Sequence, residues 1–219
     1  MGHSLEDLKD AGYSVKELWD AGFTPKDLKA AGFTASEFKV AGFTPKDLRG
    51  SGFTAKVLRG AGFTAKDLKD AGFSAKVLRG AGFTAKDLRG SGFTAKVLRG
   101  AGFTAKDLKD AGFSAAQLSD IFTAKDLKDA GFSAAQLRSA GFTAAQLRYS
   151  DFSAWQLKDA GFALGDLKNA GFTAGQLRSA GFTASQLKAV GFSAKSLVYG
   201  GFSKAEIKDA GYSLLERLK

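Results

Sequence analysis

The sequence predicts an all-α solenoid, a stack of about 22 short two-turn helices with one helix in each ten-residue repeat. Three observations predict it. The 219 residues are one short of 22 tens, and rows cut at every tenth residue align along the whole chain, as in AGFTAKDLKD at 61–70, AGFSAKVLRG at 71–80 and AGFTAKDLRG at 81–90. Numbering each row 1 to 10, glycine holds position 2 in 20 of 22 rows, phenylalanine position 3 in 19, serine or threonine position 4 in 21 and leucine position 8 in 19, so one structural unit recurs throughout. Ala65, Leu68 and Ala71 lie at i, i+3 and i+6, one face of a helix turning about 100° per residue.

Each row carries the signals that start and stop a helix. Thr64 is an N-cap, and Asp67 three residues later completes a capping box. Phe63 before the cap and Leu68 after it form a hydrophobic staple. The helix runs over 65–71, and Gly72 supplies the left-handed stop, with Phe73 folding back on Leu68. Each phenylalanine thus closes one helix and staples the next. A seven-residue helix is well below the ~12–15 residues that are marginal alone, so the rows must stack and share a core.

Read in order, the rows vary this plan. His3 replaces the first phenylalanine, and Glu6 and Asp7 make the first row acidic. Pro25 and Pro45 both take position 5, the first helical residue, where proline is favoured. Val57, Val77 and Val97 replace the acid at position 7 every 20 residues, which predicts that this position is half covered in alternate helices. KDLRGSGFT begins at Lys46 and again at Lys86, and 66–75 recurs at 106–115, a 40-residue period read as duplication of a four-row block or as four helices per superhelical turn. Ile121 stands where Ala-Gly belongs and removes a stop; Asp151 replaces a glycine, a substitution that tolerates the left-handed region better than most. The tail 213–219 leaves the frame for Leu214, Leu215 and Leu218. The expectation is a single repeat domain over 1–219, with irregular junctions near 121 and 151 and caps at 1–10 and 210–219.

Large apolar residues every five positions (Phe63, Leu68, Phe73, Leu78) give the chain the period of pentapeptide-repeat proteins and their β-coil. That fold would turn Lys46, Lys56 and Lys66 into a narrow dry interior, at a cost of several kcal/mol per charge, so only the period resembles it. Short helices sharing a continuous core are similar in logic to tetratricopeptide and HEAT repeats, although this unit is far shorter and has none of their motif residues. That resemblance implies a binding or spacer role. The near-identity of the rows points to recent expansion of one block or to a consensus-like engineered sequence.

With no cysteine and a single histidine, the composition excludes disulfide frameworks and leaves no basis for a zinc site or for Cys or Ser/His/Asp catalysis. No GxGxxG or Walker pattern occurs, and the carboxylates sit at cap positions or beside lysine. No enzyme activity, cofactor or metal is expected. No apolar run approaches a membrane span and no secretory segment follows Met1, which favours an intracellular setting.

The formal net charge of +10 is uneven: −2 over 1–40, +8 over 41–110 and +4 over 111–219. Lys46, Lys56, Lys66, Lys76, Lys86, Lys96 and Lys106, all at position 6, with Lys or Arg at position 9, would form parallel basic ridges suited to nucleic acid or another polyanion. No aromatic is interleaved with them as a stacking platform. Tyr149 and Trp155, at outward positions, are the candidate anchor for a protein partner; Tyr199 with Val198, and Trp19, are weaker candidates. Three functions follow as expectations: a scaffold or protein-interaction module, a polyanion binder through 41–110, or a rod that self-associates through its ends.

Overall fold

The structure, a computed structural model, describes residues 4–213 and 216. Among them are 21 helices and no strand, so the helical reading holds and the β-coil does not. Contacts group the chain into two units, Met1–Gly112 and Phe113–Lys219, taken separately below. The first holds α1 (Leu5–Asp10), α2 (Val15–Asp20), α3 (Pro25–Ala30), α4 (Ala35–Val40), α5 (Pro45–Arg49), α6 (Ala55–Gly60), α7 (Ala65–Asp70), α8 (Ala75–Gly80), α9 (Ala85–Gly90), α10 (Ala95–Gly100) and α11 (Ala105–Asp110). The second holds α12 (Ala115–Leu118), α13 (Ala124–Asp129), α14 (Ala134–Ser139), α15 (Ala144–Tyr149), α16 (Ala154–Asp159), α17 (Leu164–Asn169), α18 (Ala174–Ser179), α19 (Ala184–Ala189), α20 (Ala194–Tyr199) and α21 (Lys204–Asp209).

The helix signals work as the rows imply. At α7, the Asp67 N–H bonds the Thr64 hydroxyl at 3.2 Å, and the Thr64 N–H bonds the Asp67 carboxylate at 2.8 Å. At the other end Gly72 has φ +84°, its N–H bonds Lys69 O at 2.7 Å, and the Phe73 N–H bonds Leu68 O at 2.9 Å, the paired bonds of a Schellman stop. Pro25 and Pro45 open α3 and α5. In α6, α8 and α10 valine replaces the acid, and only the cap hydroxyl bond to the valine N–H remains. Ala163 leaves α17 with no side-chain cap at all.

Within each unit the shared core is a file of leucines. Leu68 is fully buried, Ala65 and Ala71 beside it are 6 and 7 % exposed, and the same triad recurs from row to row. Small alanines on both sides of each leucine let neighbouring helices approach closely. The backbone of α18 comes close to the end of α20. There Gly175 and Gly200 face each other, and a Cβ on Gly200 would stand 2.8 Å from the Gly175 nitrogen.

Most helices pack on the next but one, as α6 on α8 and α8 on α10, or α14 on α16 and α16 on α18, and often on the next as well. The stacking step is therefore two helices, or one pair of rows, and the 40-residue recurrence spans two such steps. The valine alternation follows the step. Val57, Val77 and Val97 lie in one column, and each keeps 46–47 % exposure, so half of each is covered as expected.

The irregular rows have local explanations. Without its glycine, the row at Ile121 has no left-handed stop. Helix α12 ends at Leu118, and the Phe122 N–H bonds Leu118 O directly at 3.0 Å. Asp151 does take the left-handed conformation, at φ +62°, as the one non-glycine among the described residues to do so. At the start of the chain α1 buries no residue and carries Glu6 and Asp7 in its first turn. His3, Leu214, Leu215 and Leu218 lie outside the described residues.

Candidate functional site

Position 9 is Lys or Arg in 18 of 22 rows, nearly as constant as the core leucine, and the structure shows why. Its charge reaches the C-terminal carbonyls of the helix two further on and covers the phenylalanine that closes that helix. From α5, Arg49 Nη1 donates to Ala71 O at 3.0 Å, and its guanidinium lies 5.4 Å from the Phe73 ring centre. Lys69 Nζ of α7 donates to Ser91 O at 2.8 Å and lies 5.0 Å from the Phe93 ring. In the second unit Lys128 donates to Asp151 O at 2.7 Å, and Arg148 to Ala170 O at 3.0 Å. Each cation thus meets the negative end of a helix and the face of a ring.

This arrangement corrects the expected pair of basic ridges. The position 9 cations are committed to helix-end carbonyls and aromatic rings, although Arg49, Arg59 and Arg79 keep exposed surface, so position 6 carries the ridge that makes no such contact. Lysine fills that position in only 11 of 22 rows, the mark of a place the fold does not require. Lys46, Lys56, Lys66, Lys76, Lys86, Lys96 and Lys106 are all exposed. Lys66 pairs with Asp70 and Lys106 with Asp110, each at 3.0 Å, one helical turn on. Among the described residues no carboxylate pairs with the other five.

Trp19 occupies position 9 in α2, where a cation would otherwise stand. Its ring meets Phe43 edge-on, with centroids 5.2 Å apart at 88°. Phe43 in turn meets Phe38 at 5.3 Å. Trp19 therefore has a packing partner that the sequence did not announce.

Tyr149 and Trp155 are brought together. Tyr149 ends α15 and is 82 % exposed; Trp155 lies in the first turn of α16 and is 61 % exposed. They line one cleft of about 600 Å³, with Phe152 and Phe172 also in its wall and Gln176 and Ser179 supplying polar groups. The turn between the two aromatics contains the left-handed Asp151, whose carbonyl is held by Lys128. Arg148 sits 5.5 Å from the Phe172 ring centre. The lining offers aromatic surface to an apolar side chain and polar groups to a peptide backbone. Tyr199, on α20, is equally exposed but lies outside this cleft, beside the exposed Val198.

Among the described residues no group of three or more His, Asp or Glu side chains could hold a metal ion, and no helix is long and apolar enough to cross a membrane. No curated protein matches the chain. The model of the decapeptide repeat region matches residues 1–65, 52–121, 122–193 and 161–219, together the whole length, and the chain belongs to this family of decapeptide repeats.

Proposed function

We propose that the chain is a non-enzymatic repeat scaffold that engages a protein partner through the cleft between Tyr149 and Trp155. The observation that carries this reading is two large aromatics left exposed in the lining of one cleft, in a fold whose other rings are mostly spent on closing helices. Tyrosine and tryptophan combine a large apolar surface with a polar edge, and so they dominate the binding energy of protein interfaces. Two features support the non-enzymatic part. The chain has no cysteine and one histidine, and position 7 carboxylates such as Asp67, Asp87 and Asp107 are tied to the cap residues three places before them.

Selection of peptides from a displayed library on the immobilised chain tests this. Peptides enriched by the wild type should bind at least tenfold more weakly to a variant carrying Tyr149→Ala and Trp155→Ala, whose helical content is unchanged. Failure to enrich any peptide, or equal binding by the variant, overturns the reading.

A further inference from the structure

The two columns of the first unit differ in charge, and the difference is confined to their outer surface. In the column of α5, α7, α9 and α11 every row carries an aspartate at position 7, and α7 and α11 add Asp70 and Asp110 against their lysines. In the column of α6, α8 and α10 the row AKVLRG is repeated three times with no acid. Its arginines Arg59 and Arg79 are bound to Ala81 O and Ala101 O of the next helix in the column, each at 3.0 Å. The arginines keep exposed surface, and beside them run a file of lysines that pair with no carboxylate among the described residues, Lys56, Lys76 and Lys96, and a file of half-exposed valines, Val57, Val77 and Val97.

Position 10 of the same rows sharpens this. Gly60, Gly80 and Gly100 have no left-handed φ, and a Cβ on any of them would meet nothing within 4 Å. The fold does not need glycine there, and glycine weakens a helix. At the surface it leaves no side chain one turn beyond each lysine, where Asp70 and Asp110 neutralise their neighbours in α7 and α11; Gly50 and Gly90 do the same in α5 and α9, but there Lys46 and Lys86 are each followed directly by an aspartate, Asp47 and Asp87.

We infer that the α6–α8–α10 column docks an acidic amphipathic helix of a partner protein, laid along the stacking direction. Two arguments select this occupant. The strip is cationic along one line and apolar along the next, and the apolar line would gain nothing from a sugar or phosphate polymer. Packed helices are about 8–10 Å apart, and two turns of a partner helix, seven residues, advance about 10.5 Å. A partner with an acid and an apolar residue in each heptad would therefore present one of each to every helix of the column, with the long lysine stems absorbing the small mismatch. This face is separate from the aromatic cleft, and the inference stands or falls independently of it.

The test uses a labelled three-heptad peptide with Glu and Leu stripes at heptad spacing, a scrambled peptide of the same composition, and heparin. The full chain should bind the striped peptide at least tenfold more tightly than the scrambled one, with affinity falling as salt rises. The triple variant Gly60→Asp, Gly80→Asp and Gly100→Asp should lose this binding at least tenfold. It leaves every lysine and valine in place, and it copies the Lys66–Asp70 pair that α7 already accommodates. The variant Val57→Ser, Val77→Ser and Val97→Ser should weaken the peptide and leave heparin retention unchanged. Equal binding of striped and scrambled peptides, indifference to either triple variant, or tight binding of heparin alone overturns the proposal; the last would make the strip a polyanion site.

Discussion

The guanidinium of Arg79 in α8 lies 5.2 Å from the ring centre of Phe103, the residue that closes α10, and its Nη1 donates to Ala101 O at 3.0 Å. One side chain therefore satisfies a carbonyl at a helix end, opposes the negative end of that helix and covers an aromatic face. Arg79→Ala should destabilise the fold by about 1–2 kcal/mol, whereas Arg79→Lys should recover most of this, because Lys69 makes the same contacts one row earlier. Lys76→Ala, three residues away but outward, should change stability by less than about 0.5 kcal/mol. Urea unfolding of the three variants checks this, and equal losses at positions 6 and 9 would refute the division between structural and surface cations.

This contact also marks the limit of what the sequence discloses. Cap, staple and glycine stop each act within six residues, so Thr64, Asp67, Leu68 and Gly72 can be read from one short stretch of chain. The partners of Arg79 lie at the end of the helix two further on, at a separation set by how the helices stack, and no local rule reports that angle. The chain held an indirect signal, since a surface position kept cationic in nearly every row has a partner it cannot lose. Trp19 illustrates the same limit: taken alone it resembles an interface anchor, and only the two-helix step reveals Phe43 beneath it. Tyr149 and Trp155 were legible as candidates because they occupy variable, outward positions, although the cleft they line also depends on Phe172, two rows after that of Trp155.

The two classes of glycine should respond oppositely to alanine. Gly72 has φ +84°, and a methyl group there would collide with the Arg49 guanidinium, so Gly72→Ala combines backbone strain with loss of a cation contact and should cost about 1–2 kcal/mol. Gly60 has open space around it and an ordinary helical backbone. Gly60→Ala should stabilise the chain by up to about 1 kcal/mol. Thermal unfolding of the pair distinguishes the cases, and destabilisation by Gly60→Ala would mean that position 10 has a structural role.

Acid should soften the first unit before the second. The Asp87 carboxylate accepts the Thr84 hydroxyl at 2.7 Å and the Thr84 N–H at 2.8 Å, and these bonds hold it below the ordinary aspartate value of 3.8. Asp67 and Asp107 are lowered in the same way. A carboxyl group with a depressed folded-state pKa adds stability that is fully present above the unfolded value and is lost as pH falls through the folded one. In the second unit α14, α15, α16, α18 and α19 close their capping boxes with glutamine, which does not titrate. Amide exchange at about pH 3, corrected for intrinsic rates, should show α7, α9 and α11 losing protection ahead of α14–α16. Parallel loss in both sets would show that the capping carboxylates do not govern acid stability.

The two tryptophans should separate structure from recognition. Trp19 is 45 % exposed, yet its ring is seated edge-on against Phe43 in the place of a position 9 cation. Trp19→Ala removes that packing and should cost about 2 kcal/mol. Trp19→Lys restores the usual occupant and should recover at least half of the loss, by reaching the Phe43 ring as Lys29 reaches Phe53 at 5.1 Å. Trp155 has 61 % of its surface in solvent, and no ring is stacked on it among the described residues. Trp155→Ala should therefore shift stability by less than about 0.5 kcal/mol, while removing one side of the aromatic cleft. Thermal unfolding of the three variants decides the matter: a loss at Trp155 as large as at Trp19 would make Trp155 a packing residue and leave the cleft without its anchor.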